Sequence, residues 1–128
     1  MAQHSEGIRL LLVDDEVGYL DVLSKRLTRR GYKVTTASSG AEAIRAARRW
    51  DFDVAVVDLK MEDMDGIEVL KTLKRMVPAL EVIILTGHGS ERAAREGIAH
   101  GAFDYLIKPI GLDPLIARID AALSSDPD

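Results

Sequence analysis

Five short runs of apolar residues recur along the chain, each followed by a longer stretch in which apolar positions fall three and four apart. The first rhythm belongs to strands and the second to helices, so the pattern predicts strands over 8–13, 32–37, 54–58, 81–85 and 103–107 with a helix after each. Three of the runs, LLLV, VAVV and VIIL, are continuously apolar, as strands covered on both faces must be. The second and fifth alternate more, which suits the edges of a sheet. Alternating strands and helices predict an α/β fold with a parallel sheet between helical layers.

The helices carry their own punctuation. Helix one, over 17–30, sets Leu20, Leu23 and Leu27 at core spacing, and Gly31 stands where a left-handed cap belongs. Ser39 with Glu42, and Asp65 with Glu68, match the capping box that opens a helix, marking the starts of helices two and three. Pro78 closes helix three; Asp113-Pro114 opens helix five, with Leu115, Ile116, Ile119 and Leu123 as its buried stripe. Helix four, over 90–99, has only Ala93, Ala94 and Ile98 for an apolar face, and its interior Gly97 costs ~1 kcal/mol relative to Ala. It is predicted to be the least firmly held element. Trp50, after helix two, reads as a packing anchor.

Composition narrows the class. The chain has 128 residues, 47% of them hydrophobic, which is enough to bury one core; the expected plan is a tail over 1–7, one domain over 8–123 and a tail or linker start over 124–128. A net charge of -4 argues against a nucleic-acid-binding surface. Without cysteine, disulfides and thiolate metal sites are excluded. No apolar stretch approaches the ~20 residues that span a bilayer, and 1–7 is too polar for a signal peptide, so a cytoplasmic location is expected.

The chemistry lies where the apolar runs stop. They end in Asp14-Asp15-Glu16, in Asp58, in Thr86 and in Lys108-Pro109. Right-handed crossovers bring the carboxyl ends of parallel strands to one edge, and in the doubly wound order 2-1-3-4-5 strands one and three are neighbours. Asp14, Asp15 and Asp58 then crowd together. Unit charges ~4 Å apart repel by about 4 kcal/mol at an effective dielectric of 20, so the cluster calls for a cation. An all-oxygen ligand set suits Mg²⁺, with Mn²⁺ as substitute. Lys108 can neutralise further negative charge and Thr86 can bind a phosphoryl oxygen, which are the parts phosphoryl transfer uses. A carboxylate can itself be the nucleophile, and Asp58, alone at the end of a central strand, is the candidate.

VDDE at 13–16, VVDLKMEDMDG at 56–66, LTGHGS at 85–90 and GAFDYLIKP at 101–109 together resemble the receiver domain of two-component response regulators over essentially the whole chain. The resemblance implies a flavodoxin-like fold of five strands and five helices, acting as a signalling domain rather than an enzyme. It implies that Asp58 accepts a phosphoryl group from a histidine kinase or phosphotransfer protein. Asp15, Asp58 and the Lys60 carbonyl would ligate Mg²⁺ directly, with Asp14 acting through water. Thr86 and Lys108 would contact the phosphoryl group, and the Lys108-Pro109 bond would be cis. Tyr105 matches the aromatic position whose rotamer accompanies activation. The signal would then be read on the face made by helix four, strand five and helix five, by an effector or a second copy of the chain. Lys60 and His88, two residues past Asp58 and Thr86, match positions that tune access of water to the phosphoryl group. One departure is visible: where the family often has Met-Pro after the acceptor, this chain has Met61-Glu62, followed by Asp63, which adds negative charge and removes a stiffening residue.

Two other readings are discriminated by the same residues. A small aspartate-nucleophile phosphatase needs Asp-x-Asp after strand one, whereas the chain has Asp14-Asp15-Glu16 and no cap domain. A receiver-like binding module that is never phosphorylated would more naturally have lost Asp58 or Lys108. The wording of LTGHGS and DYLIKP resembles receivers attached to transcriptional activators.

Overall fold

The computed structural model describes residues 7–87 and 89–124. Five strands and five helices alternate: β1 (Arg9–Val13), α1 (Val17–Arg29), β2 (Lys33–Ala37), α2 (Gly40–Arg49), β3 (Val54–Val57), α3 (Gly66–Met76), β4 (Glu81–Thr86), α4 (Glu91–Ala99), β5 (Asp104–Ile107) and α5 (Leu112–Ser124). The strands form one parallel sheet in the order β2-β1-β3-β4-β5. The fold is therefore the expected doubly wound, flavodoxin-like one, with β2 and β5 at the edges. Boundaries differ from the sequence reading by about one residue: Asp58 stands just past β3, Thr86 closes β4, and Ser124 belongs to α5.

Period-two alternation splits each central strand between two cores. Leu10, Leu12, Val54, Val56, Ile83 and Leu85 face α1 and α5, where they meet Leu20, Leu23, Leu27, Leu115 and Ile119. Leu11, Val13, Ala55, Val57, Val82 and Ile84 face α2, α3 and α4, where they meet Ala43, Leu70, Leu73 and Ala94. Nearly every residue of β1, β3 and β4 is buried, and each Leu, Ile or Val so placed contributes roughly 1.5–3 kcal/mol of transfer free energy. That burial makes the ends of β1, β3 and β4 a rigid platform. Among the described residues no helix is long and apolar enough to cross a membrane.

Helix punctuation holds with two adjustments. Gly31 has φ 102°, the left-handed conformation that an end after α1 requires. Ser39 caps α2 by accepting from the Glu42 amide, but the Glu42 carboxylate returns to the amide of Ser38, not of Ser39. Asp65 caps α3 through the Ile67 amide, while Glu68 pairs with Lys71.

Two packing expectations are corrected. On α4 the buried residues are Ala94 and Gly97, and Ile98 is exposed. A Cβ on Gly97 would collide with Ile84 Cδ1, so this glycine is the close-approach surface that lets α4 reach the sheet. Its helix-propensity cost is the condition of the contact. Trp50 is 52% exposed, with the Arg49 guanidinium 5.2 Å from its ring centroid, and is no packing anchor. It follows the last turn of α2, in the short connector to β3.

Candidate functional site

The ladder itself positions the polar residues at the strand ends. The Asp14 amide donates to the Ala37 carbonyl, the Asp58 amide to the Val13 carbonyl, and the Lys108 amide to the Thr86 carbonyl. Each polar residue is thus one ladder step beyond its apolar run, with its backbone tied to the neighbouring strand. Side chains from four strand ends converge as a result.

Asp58 is held on both carboxylate oxygens. Its Oδ1 accepts the Thr86 hydroxyl at 2.6 Å and the Lys60 amide at 3.2 Å, while Oδ2 faces Lys108 Nζ at 3.4 Å. Lys108 also reaches Asp14 Oδ2 at 2.9 Å and Glu16 Oε1 at 3.4 Å. The other Asp14 oxygen accepts the Glu16 amide at 2.9 Å. Asp15 Oδ2 accepts the amide of Glu62 at 3.2 Å. Asp14, Asp58 and Thr86 are buried and Lys108 is half-buried, while Glu16 is exposed.

Burial raises the pKa of Asp14, against the lowering effects of the Glu16 amide and of Lys108. Burial alone would lower the pKa of Lys108, but the hydrogen bond to Asp14 and the fields of Asp58 and Asp14 outweigh it and raise the value. The ammonium is therefore fixed as a cation by its surroundings.

One carboxylate oxygen from each of Asp14, Asp15 and Asp58 lies within 4.8 Å of the others. Counted as ionised, three carboxylates against one ammonium leave a formal charge of minus two, which one divalent ion cancels. All the donors are hard oxygens, so the set fits Mg²⁺ or Mn²⁺ and not a thiophilic metal. The cluster opens into a pocket of about 550 Å³ whose walls include Asp58, Lys60, Tyr19, Gly87 and Pro109.

The remaining sequence-predicted residues fall as follows. Lys60 is exposed and lines the pocket. Glu62 is exposed and meets the cluster through its backbone amide. Tyr105 is half-buried on β5, in register with Ile84, and packs against the core beneath α3 and α4. The Lys108-Pro109 bond is cis. His88 lies outside the described residues.

For two residues near the site, the sequence reading missed the part they play. Asp63 does not crowd the carboxylates: its Oδ1 and Oδ2 accept the amides of Gly40 and Ala41 at 2.9 and 3.0 Å, capping α2 from another loop. Those amides hold its pKa below the usual carboxylate value. The negative charge expected beside the site is thus half diverted to a helix N-terminus. Tyr19 lies on α1 with its ring centroid 4.5 Å from Lys108 Nζ. The available signal was its place in the first turn of the helix that directly follows Asp14-Asp15-Glu16.

The response regulator receiver domain family matches residues 10–120. The transcriptional regulatory protein GlrR of Escherichia coli (strain K12) is 45% identical over 114 residues, 89% of this chain and 26% of that protein. The chain thus spans about a quarter of that curated relative. Among solved structures, a response regulator receiver domain protein of Clostridium thermocellum superimposes with a TM-score of 0.85 at 36% identity, covering 91% of this chain and 94% of that one. A response regulator of Burkholderia pseudomallei, solved with a phosphorylated aspartic acid, calcium ion and citrate, has a TM-score of 0.83 at 30% identity, covering 92% and 67%. A match that runs from the second residue of β1 well into α5 takes in every element of the fold, and the chain belongs to the family of response regulator receiver domains.

Proposed function

We propose that the chain is a phosphorylation switch whose acceptor is Asp58. The observation that carries this reading is the setting of Asp58: a buried carboxylate with Thr86 on one oxygen, Lys108 near the other, and two further acids beside it. Asp14, Asp15, Asp58 and the carbonyl of Lys60 would hold Mg²⁺, Asp14 through water. When bound, the ion would screen the charge on the incoming phosphoryl oxygens. An Asp58 oxygen attacks phosphorus; the bond to the donor histidine nitrogen breaks, and its electron pair stays on the imidazole. Lys108 and Thr86 bind the phosphoryl oxygens as charge develops on them.

Thr86 leaving its present hydrogen bond for a phosphoryl oxygen opens room for Tyr105 to turn inward. That change biases the face of α4, β5 and α5, which an effector or a second copy of the chain reads. A histidine kinase or phosphotransfer protein supplies the phosphoryl group in the cytoplasm. The chain assists its own loading from a phosphodonor and its own release, with Lys60, Glu62 and His88 setting how readily water reaches the acyl phosphate. By analogy with its named relatives, the output is transcriptional.

Acetyl phosphate or a beryllofluoride mimic, added with Mg²⁺, tests the reading. Backbone amide signals around Thr86 and Tyr105 should shift in wild type and stay fixed in Asp58→Asn. No shift in wild type, or an equal shift in the variant, rejects it.

A further inference from the structure

Tyr19 is a pocket wall that the transfer step above leaves unused. Its ring is half-buried on the first turn of α1, lines the same pocket as Asp58, and presents its face to the Lys108 ammonium at 4.5 Å. That distance and approach are those of a cation–π contact.

We propose that Tyr19 is the positioning residue for Lys108 in the loaded site. The proposal rests on the reading of Asp58 as acceptor. Lys108 Nζ has three carboxylate neighbours, Asp14, Asp58 and Glu16. Two of the three belong to the oxygen cluster that suits a divalent ion, and one of those two becomes the acyl phosphate. The anions that hold the ammonium in the metal-free site are therefore the groups whose charge is taken up or rearranged during the reaction. Glu16, the third, is exposed and 3.4 Å away, so solvent weakens its hold.

The Tyr19 ring attracts the ammonium through a quadrupole and carries no net charge. A divalent ion does not compete for it, and phosphorylation of Asp58 does not alter it. Of the ammonium's contacts, only this ring and the exposed Glu16 carboxylate are claimed neither by a divalent ion nor by phosphorylation, and of the two the ring is the one that solvent does not weaken. A lysine side chain is long and flexible, so a contact that persists keeps the ammonium over the acceptor when its carboxylate partners are claimed.

The test uses Tyr19→Phe, Tyr19→Leu, Lys108→Ala and the Tyr19→Leu, Lys108→Ala double variant, each phosphorylated by acetyl phosphate and Mg²⁺ and followed by intact mass. A small donor removes any contribution of α1 to partner docking. Tyr19→Phe keeps the ring and should load at close to the wild-type rate; Tyr19→Leu keeps the bulk and should load about fivefold more slowly, the factor a contact of this class is worth. In the Lys108→Ala background the Leu substitution should have no further effect. In metal-free protein the Lys108 ε-methylene protons should resonate upfield under the ring current in wild type and Tyr19→Phe, and at ordinary lysine positions in Tyr19→Leu.

Loading of Tyr19→Leu at the wild-type rate would overturn the proposal. So would an equal slowing with and without Lys108, which marks mere packing, or an unshifted ε-methylene in wild type. If wild type takes no phosphoryl group at all, the acceptor reading falls with it; if wild type loads normally and the Tyr19 arms fail, only the positioning role falls.

Discussion

Gly40 and Gly66 each begin a helix, and replacing each by Ala separates what a Cβ overlap costs against a side chain from what it costs against main chain. A Cβ on Gly40 would overlap Met64 Cγ and stand 2.5 Å from its Sδ, with Val69 Cγ2 at 2.9 Å. A Cβ on Gly66 would overlap Leu59 Cα and stand 2.6 Å from its carbonyl oxygen and 2.8 Å from its carbonyl carbon. Carbon atoms ordinarily rest ~3.5–4.0 Å apart, so each substitution demands about an ångström of movement.

Met64 can supply most of that movement by rotating, since its side chain is unbranched and adaptable, while buried Val69, with Cγ2 at 2.9 Å, must yield by about half an ångström. Leu59 cannot. Its carbonyl accepts the Gly66 amide at 3.0 Å, and the preceding residue, Asp58, is tied to Val13 at 3.0 Å. Overpacking of a rigid neighbour costs ~1–3 kcal/mol, and stretching a backbone hydrogen bond adds about 1 kcal/mol. Gly66→Ala should therefore lose about 3 kcal/mol. For Gly40→Ala the obstacles are side chains that can repack, at a cost of about 1 kcal/mol.

Urea unfolding followed by far-UV circular dichroism, at neutral pH and without metal, measures both differences provided the m-values agree. Because Leu59 adjoins Asp58, the Gly66 variant should also load phosphoryl groups poorly. A Gly66→Ala protein within 1 kcal/mol of wild type, or a Gly40→Ala protein that loses as much, would refute the distinction between backbone and side-chain obstacles.

Further expectations concern charge and exposure. Because the amides of Gly40 and Ala41 hold the Asp63 pKa below its unfolded value, its contribution to stability is present above the ordinary carboxylate range and is lost as pH falls through the folded value. Asp63→Asn should accordingly flatten the acid side of the stability curve; an unchanged acid limb contradicts the cap. Mg²⁺ should stabilise the protein by about 2.7 kcal/mol at a hundred times its dissociation constant, and Asp58→Asn or Asp15→Asn should weaken that gain. Thermal midpoints with and without the ion decide it. Trp50 is 52% exposed and stands before β3, at the end of the sheet away from Asp58. Its fluorescence should be readily quenched by acrylamide and indifferent to Mg²⁺; a Mg²⁺-dependent quench that Asp58→Asn abolishes would contradict this placement.

Much was legible in the chain because the relevant physics is local. LLLV, VAVV and VIIL are buried on both faces because strand side chains alternate between them, and two helical layers cover the sheet. Gly31 ends α1 and Asp65 starts α3 for reasons contained within a few residues. The polar stops converge because parallel strands point one way, so Asp14, Asp15, Asp58, Thr86 and Lys108 could be named together in advance. The misreadings share a cause as well. Gly97 looked like a defect when judged by helix propensity, and became a packing surface once Ile84 stood opposite it. Trp50 looked buried by residue type, and its position after the last turn of α2 left it in solvent.

The amino-acid sequence by itself determined the elements, their succession along the chain and the identity of the polar residues that end the apolar runs, because periodicity is a property of the chain; the order of strands in the sheet came from the likeness to doubly wound receivers and was fixed by the fold. Only the tertiary structure decided which partners those residues meet. Asp63 caps a helix 23 residues earlier, and the ring of Tyr19 meets an ammonium from the other end of the domain. Contacts of that kind depend on how layers pack, and no local pattern encodes the distance between two side chains on different layers.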